Sequence, residues 1–408
     1  MTGARDALVI GAGPAGSAAA ARLAARGFSV LLCDRASFPR DKLCGEFLSP
    51  ECRGYFRELG VEEGILAREG CVIESVRFET DAAGRVERPL PGSGIGLSRR
   101  ALDQTLAEEA RRRGVEVRFG TRVAAVRTAS RGSGAFPLFE ADLVGGNGVE
   151  PVAARSVVDA SGRSGGVRSP EDAFPRSSNE SPGRRVAFQR HFRGPSEPVV
   201  EIYPFSGGYC GVAPVEDDRI NVCFLGNTGD LRAAGGTAEA MLERAGEQNP
   251  SLAGRLASLE PAEERFRGAS GFRFRRVRPS APDRLIAGDA AAFIAPLCGD
   301  GIAMALRGAL LAADVLESFL ERRTTWDECR RAHRIRWRRE FESRIRLGRI
   351  LQEILTCPPG CAGLLHAARL WPGLADRLIQ GTRGRGYRAS GSPAFPSSSS
   401  AARDRSTR

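Results

Sequence analysis

The stretch Ala7-Leu-Val-Ile-Gly-Ala-Gly-Pro-Ala-Gly16 joins a short apolar run, of the kind a buried parallel strand needs, to three glycines at positions 11, 13 and 16. After it, Ser17 to Arg26 is an alanine-rich helical segment that stops at Gly27, and Ser29-Val-Leu-Leu-Cys33 is a second apolar strand closing on Asp34. Strand, glycine turn, helix and strand in that order predict a dinucleotide-binding unit. Gly11 makes the tight turn, Gly13 lets the backbone approach a pyrophosphate, and Gly16 lets the helix pack close to the strand. The helix N-terminus supplies free amides and a positive dipole end for the phosphates. Asp34 is placed for ribose hydroxyls, which argues against a 2'-phosphate and leaves FAD or NAD.

The rest of the chain bounds what that unit belongs to. With 408 residues and 42% apolar composition there is room for two domains or one large domain carrying an insertion. The net charge of +11 suits an anionic partner. Much of it, however, lies between Arg322 and Arg349 and in the segment beyond Gly381, with no nucleic-acid-binding signature, so no nucleic-acid partner is expected. Ten cysteines are scattered without metal-ligand spacing and three histidines (His191, His333, His366) stand far apart, so reduced thiols, a cytoplasmic location and no metal are expected. The N-terminal residues have no secretory-signal pattern, and no run of eighteen apolar residues occurs. Residues 381–408, rich in Gly, Ser, Pro and Arg, are expected to be a disordered tail.

One residue is singular. Of 60 basic residues, Lys42 is the only lysine, and it lies in Arg40-Asp-Lys-Leu-Cys-Gly-Glu46. A lysine is a compact charge whose pKa moves on burial, which the guanidinium of arginine does not allow.

Three further segments carry a resemblance. Ser98-Arg-Arg-Ala-Leu-Asp103 with the helix after it, Val157-Val-Asp-Ala-Ser-Gly-Arg-Ser-Gly-Gly-Val-Arg168, and Leu285-Ile-Ala-Gly-Asp289 followed by Pro296-Leu-Cys-Gly-Asp-Gly301 are similar, in order and separation, to the flavin fingerprints of the aromatic-hydroxylase (group A monooxygenase) superfamily. Lys42, Cys44, Gly45 and Glu46 resemble the lysine, cysteine, glycine signature of its geranylgeranyl-reductase-like branch. Gly207-Gly-Tyr-Cys-Gly-Val-Ala-Pro214 resembles that branch's substrate-sheet hairpin.

The resemblance implies an α/β fold: a Rossmann-like FAD-binding domain of glutathione-reductase type, an inserted mostly antiparallel β-sheet substrate domain, and C-terminal helices. The expected FAD domain is discontinuous (residues 1–71, 96–170 and 276–322), with substrate segments 72–95 and 171–275 and C-terminal helices over 323–380. It further implies cofactor contacts at Gly11, Gly13, Ala15, Gly16, Asp34, Arg35, Cys44, Gly45, Arg99, Val123, Gly162, Gly288, Asp289, Pro296, Gly299, Asp300, Gly301 and Ile302. Substrate contacts are expected at Tyr203, Tyr209, Cys210 and Val212, and catalytic roles at Lys42, Cys44, Glu46 and Cys298. Cys44 and Cys298 are expected near the isoalloxazine and near each other.

Ser161 replaces an aspartate that the aromatic hydroxylases carry and associate with NADPH use. The electron source is therefore left open between NAD(P)H and a separate reductase protein. Halogenases of the superfamily share a Gly-Glu pair like Gly45-Glu46 but carry a paired-tryptophan strand that this chain lacks, which argues against halogenation. The activity expected first is a monooxygenase acting on an apolar or aromatic small molecule such as a polyketide or isoprenoid. The second is saturation of prenyl double bonds, which a long apolar tunnel in the substrate sheet would favour. The third is a non-enzymatic flavin-binding factor at a membrane surface. Trp326 to Leu355 reads as one long basic helix whose later apolar residues (Ile345, Leu347, Ile350, Leu351, Ile354, Leu355) pack on the body, a peripheral membrane contact being the alternative.

Overall fold

A computed structural model describes residues 4–129, 138–146, 148–163, 167, 185–272 and 277–384. Its first layer grows from the apolar run at the N-terminus. Strands β1 (Arg5–Ile10), β2 (Val30–Cys33), β6 (Glu116–Arg118), β9 (Gly148–Asp159) and β17 (Arg284–Ile286) form a parallel core in the order β17-β9-β1-β2-β6. Strand β16 (Ser280–Ala281) adds to one edge, while β7 (Arg122–Thr128) and β8 (Phe139–Gly145) extend β9 as an antiparallel ribbon. Central strands β1 and β2 are buried on both faces, which is why they read as continuous apolar runs. Against this sheet pack α1 (Pro14–Ala24), α4 (Arg99–Arg112) and α8 (Gly301–Leu320), with α2 (Cys52–Glu58) and α3 (Glu62–Leu66) at their flank.

The second layer is a nine-stranded sheet in the order β14-β10-β13-β12-β11-β4-β5-β3, with β15 also on β10. Its strands are β3 (Phe47–Leu48), β4 (Cys71–Thr80), β5 (Gly84–Gly96), β10 (Arg185–Arg193), β11 (Val199–Phe205), β12 (Gly208–Val215), β13 (Arg219–Asn227), β14 (Glu260–Pro261) and β15 (Arg267–Phe272). Only the β4–β11 pair is parallel. Together the two sheets are a Rossmann-type nucleotide-binding layer with an inserted, mostly antiparallel second sheet, the architecture the resemblance implies.

Between β13 and β14 the chain is helical, not extended as its neighbours are: α5 (Thr228–Ala233), α6 (Ala238–Gln248) and α7 (Pro250–Ala257). The local signals are an N-cap at Thr237, whose side chain accepts from the Ala240 amide, and Met241, Leu242 and Ala245 at helical spacing facing the sheet.

Helix α9 (Trp326–Leu355) has the bounds its sequence predicts, opening on a capping box between Thr325 and Glu328. Of its later apolar residues Ile345, Leu351 and Leu355 are buried, whereas Ile350 points outward. Two helices follow, α10 (Pro358–Leu370) and α11 (Pro372–Thr382). The ordered chain therefore runs past the expected tail boundary at 381. Gly381 and Thr382 belong to α11, and Arg383 and Gly384 are buried. The reason is a charged anchor beneath them. Arg344 Nη2 donates to Glu51 Oε1 (2.6 Å), Arg344 Nε to the Thr382 carbonyl (2.7 Å), the Gly384 amide to Glu51 Oε2 (2.7 Å), and Arg383 pairs with Asp300. The remainder of the expected tail, 385–408, lies outside the described residues.

Candidate active site

The glycine turn behaves as its spacing requires. Gly11 has φ +97°, and a Cβ there would meet the Ala160 carbonyl oxygen at 2.5 Å; a Cβ on Gly16 would meet the Gly11 oxygen at 1.7 Å. Gly13 differs, because a Cβ there would have only the Arg99 and Arg40 side chains within 4 Å and would project into open space. Asp34, at the end of β2, accepts from the Ala12 and Ala36 amides, both at 2.8 Å, and so ties the glycine loop to the second strand. Arg35 is exposed at its rim.

That open space continues into one cavity bounded by both sheets and the C-terminal helices. On the nucleotide side it is lined by Gly13, Ala15, Lys42, Cys44, Gly45, Glu46, Arg99, Gly162, Gly288, Asp289, Pro296, Gly299, Gly301 and Ile302. Arg163 lines it too, a residue in the second fingerprint that the sequence does not single out. Gly162, Gly288 and Gly299 have φ between +60° and +79°, so the chain turns at these points in the left-handed region and brings bare backbone to the wall.

The electrostatics are positive. Arg99 is fixed by Asp103 through two bonds of 2.8 and 2.7 Å, and Arg40 also reaches Asp103 at 3.2 Å. Burial opposes the charge of Arg99, but Asp103 more than offsets it and the guanidinium is held more firmly protonated. Lys42 has no hydrogen bond or ion pair among the described residues, and its Nζ would stand 3.4 Å from a Cβ at Gly162. Burial, then Arg99 and Arg40, push its ammonium down to about 8.

The thiol of Cys44 is pushed up by burial, while Arg99 beside it pulls the other way. Cys223 is raised well above its usual value by burial and then by the charge of Cys44, whereas Cys298, at about 11, answers to burial, Arg383 and Arg344. All ten cysteines are free. Cys44, Cys223 and Cys298 thus line one cavity, and Asn221, two positions from Cys223 along β13, donates from its amide to the Cys44 carbonyl at 3.0 Å.

Glu46 is 2% exposed and sits at φ +55°. Its carboxylate accepts from the Arg99 amide at 2.9 Å and meets His191 Nε2 at 2.6 Å. His191 Nδ1 meets Glu263 Oε1 at 3.0 Å, and Arg267 clamps Glu263 with two bonds. Burial works against an imidazolium here, but the hydrogen bonds and charges of Glu46 and Glu263 outweigh it and raise the His191 pKa. Burial of Glu263 is likewise outweighed by Arg267 and His191, which bring its carboxyl down to about 2. His191 was expected to stand alone; its signal is Ala187, Gln189 and His191 recurring at period two on β10, small and polar where the strand is buried.

Several expected contacts fall elsewhere. Gly11, Gly16, Asp34, Arg35, Val123 and Asp300 are not on this cavity's wall. Val123 is packed in the core beneath the first sheet, and Asp300 is turned onto Arg383 and Arg344. On the substrate sheet Tyr209 and Val212 line the cavity, but Tyr203 and Cys210 do not. These two are register partners across β11 and β12, so they share a face, and that face packs on α6 and α7. Tyr203 donates there to Glu201 at 2.5 Å. The opposite face of the same strands supplies Ile202, Tyr209 and Gly211, and the wall continues through Val76 and Phe78 to Leu355, Leu365 and Ile379 of α9, α10 and α11. The result is one cavity whose wall is mainly apolar from the substrate sheet to the C-terminal helices, a channel interrupted by Arg88 and Arg383, and glycine-walled and cationic at the other end.

A family model described as an FAD binding domain matches residues 4–333. The chain belongs to this FAD-binding family. Menaquinone reductase of Mycolicibacterium smegmatis is 30% identical over 342 residues, covering 77% of this chain and 76% of that protein. Digeranylgeranylglycerophospholipid reductase 2 of Methanopyrus kandleri is 30% identical over 347 residues, covering 82% and 83%. The flavin-dependent brominase Bmp2 superposes with a TM-score of 0.76 at 19% identity over 95% and 96% of the two chains, a likeness of fold.

The site fits FAD. Gly13 leaves the volume a pyrophosphate needs at the start of α1, the cations Arg99, Lys42 and Arg163 suit an anionic cofactor, and Gly162, Gly288 and Gly299 leave bare backbone where a flat ring system approaches. When bound, FAD supplies hydride transfer or oxygen activation. This flavoprotein is an oxidoreductase whose own residues set the access and charge of the site.

Proposed function

We propose that this flavoprotein reduces a carbon–carbon double bond in a long, apolar, chain-like substrate of isoprenoid type. The observation that carries the reading is the channel. Val76, Phe78, Ile202, Leu225, Leu365 and Ile379 line a path from the cationic end toward the outer helices, a shape suited to a chain more than to a compact aromatic. Two small residues widen it at the strand that faces the cofactor end, Gly211 and Ala213. The two curated relatives described above, both named reductases, support the same reading.

Reduction needs a proton as well as a hydride, and the wall offers groups that hold one at neutral pH. Lys42 is protonated below about 8, and the Cys44, Cys223 and Tyr209 side chains keep their protons because burial raises them. Lys42 is the group assigned here, since it combines a labile proton with a free ammonium at the wall. Electrons come from a separate reductase protein, in keeping with Ser161 in the second fingerprint. A cytoplasmic site of action is part of the proposal, in keeping with ten free thiols.

The test is a single-turnover reaction. The FAD-loaded protein is reduced under strict anaerobiosis, mixed with a polyprenyl alcohol or prenylated quinone, and the product is weighed by mass spectrometry. Gain of two hydrogens without oxygen is the expected result. A product formed only in air and carrying one new oxygen would assign it instead to the monooxygenases, the reading the sequence places first. A halogenated product, dependent on halide and oxygen, would place it with the halogenases. All three tryptophans (Trp326, Trp337 and Trp371) lie on or between the C-terminal helices and none on the substrate sheet, which argues against that outcome.

A further inference from the structure

Leu370 and Trp371 are 74% and 66% exposed, two of the three most exposed large apolar side chains among the described residues, and the only adjacent pair of them. They form the elbow between α10 and α11, followed by Pro372 and Gly373, also exposed. Single exposed apolar residues are ordinary, but an adjacent leucine and tryptophan at the tip of a helical hairpin are not scattered. The inner face of the same hairpin is Leu364, Leu365, Ala368, Ala375, Leu378 and Ile379, which is the wall of the apolar channel. Outer tip and inner wall therefore belong to one device.

The hairpin is held to the body by polar clips at its two arms. Arg369 donates to the Arg85 carbonyl at 3.1 Å, and Arg88 clamps Asp376 with bonds of 3.0 and 2.8 Å. Those clips leave the elbow itself with apolar side chains and no partner of its own. The hairpin's own unpaired charge has one sign. Within Pro358–Thr382 the formal charges are Arg369, Asp376 and Arg377, and the single acid is already neutralised by Arg88. Arg377 is exposed and forms no ion pair among the described residues.

We propose that the α10–α11 elbow docks this protein on an anionic lipid surface. Leu370 and Trp371 enter the headgroup region, Arg369 and Arg377 face lipid phosphates, and a membrane-resident substrate passes beneath the hairpin into the channel. Tryptophan is the side chain suited to that depth, with an apolar body and a polar N–H. No described helix is long and apolar enough to cross a membrane, so the contact is peripheral. The docking element differs from the long basic helix, for which the sequence offers membrane contact only as an alternative to packing on the body. The passage of substrate rests on the function proposed above; the docking itself does not.

The protein carries its own reporter. Trp326 and Trp337 are 5% and 2% exposed, so a change in tryptophan emission on adding vesicles reads Trp371. FAD-loaded protein is titrated with phosphatidylglycerol–phosphatidylcholine vesicles, plain or with brominated acyl chains, and with phosphatidylcholine alone. A blue shift on the anionic vesicles, quenching by the bromines, and loss of both in Trp371→Ser are expected. Arg377→Gln should weaken binding to the anionic vesicles about fivefold, the worth of one cation near such a surface. Unchanged emission on anionic vesicles, or a shift that follows protein concentration without lipid and so reports a second copy on the elbow, would overturn the proposal. Turnover of a detergent-solubilised substrate, measured in parallel, separates failure of docking from failure of the enzymatic reading.

Discussion

Glu46 Oε2 and His191 Nε2 lie 2.6 Å apart, joining the loop after β2 to strand β10 of the other sheet. Glu46 also accepts from the Arg99 amide, at the first turn of α4, so one carboxylate fastens the cofactor end, the substrate sheet and a helix start together. Its φ of +55° is sustained by those bonds.

His191→Leu removes the imidazole that pairs with Glu46 across the sheets and leaves a buried carboxylate short of a partner. Loss of about 3–5 kcal/mol is expected, the usual consequence of breaking a buried pair from one side. Chemical denaturation of wild type and variant measures it. A His191→Leu, Glu46→Gln double variant should recover part of the loss, because the second change removes the stranded charge.

The same network fixes a pH window. His191 is raised in the folded state, so its stabilisation is complete below its unfolded value near 6.5 and disappears as pH climbs through the higher folded value. Glu263 is depressed to about 2, so its contribution is complete above an unfolded value near 4.3 and fades as pH falls toward 2. Maximal stability is expected between about pH 5 and 6.5. Denaturation midpoints across pH, with His191→Leu losing the alkaline slope, check this.

Lys42 is expected to act through its proton. With its ammonium pushed down to about 8, turnover should decline as pH rises through that value. Lys42→Arg keeps the positive charge but holds its proton more tightly, so it should retain FAD while losing turnover by about a hundredfold, the lower end for a positioned acid. Flavin fluorescence titration and a pH–rate profile read the two effects separately. Unchanged turnover in the variant would rule out Lys42 as the proton donor.

Gly16 and Gly13 should fail differently. Gly16→Ala drives a methyl into the Gly11 carbonyl at 1.7 Å and is expected to destabilise the fold by at least ~1–3 kcal/mol. Gly13→Ala meets only flexible arginine tips near 3.6 to 3.9 Å, so folding should survive while FAD affinity drops. Thermal melts of the apoprotein and flavin retention on desalting distinguish them.

Gly211→Phe tests the channel. A Cβ there meets its nearest neighbours at 3.6 and 3.7 Å, ordinary contact, so the ring is expected to project into the channel and not into the core. FAD content should be unchanged, with KM for long-chain substrates raised and short analogues less affected. Equal losses for both lengths would argue against a chain-binding channel.

The glycine turn, the parallel strands around it and the bounds of α9 were legible because each is local: a turn that excludes Cβ, a run buried on both faces, and a capping box at one end. Tyr203 and Cys210 were misread because an alternating strand buried on both faces does not disclose which face meets the cavity. That Asp300 faces Arg344 and Arg383 and not the cavity was not legible, because these partners lie more than forty residues away in the chain.

By itself the sequence determined the dinucleotide unit, the superfamily and a lone lysine set among its fingerprints, since these depend on residues near one another in the chain. Only the tertiary structure decided that Lys42 is half-buried beside Gly162, that His191 bridges two carboxylates from distant segments, and that α10 and α11 close an apolar channel whose outer elbow carries Trp371. The reason is physical. Burial, pairing and pKa are properties of what surrounds a side chain, and here those surroundings are assembled from the two sheets and the C-terminal helices together.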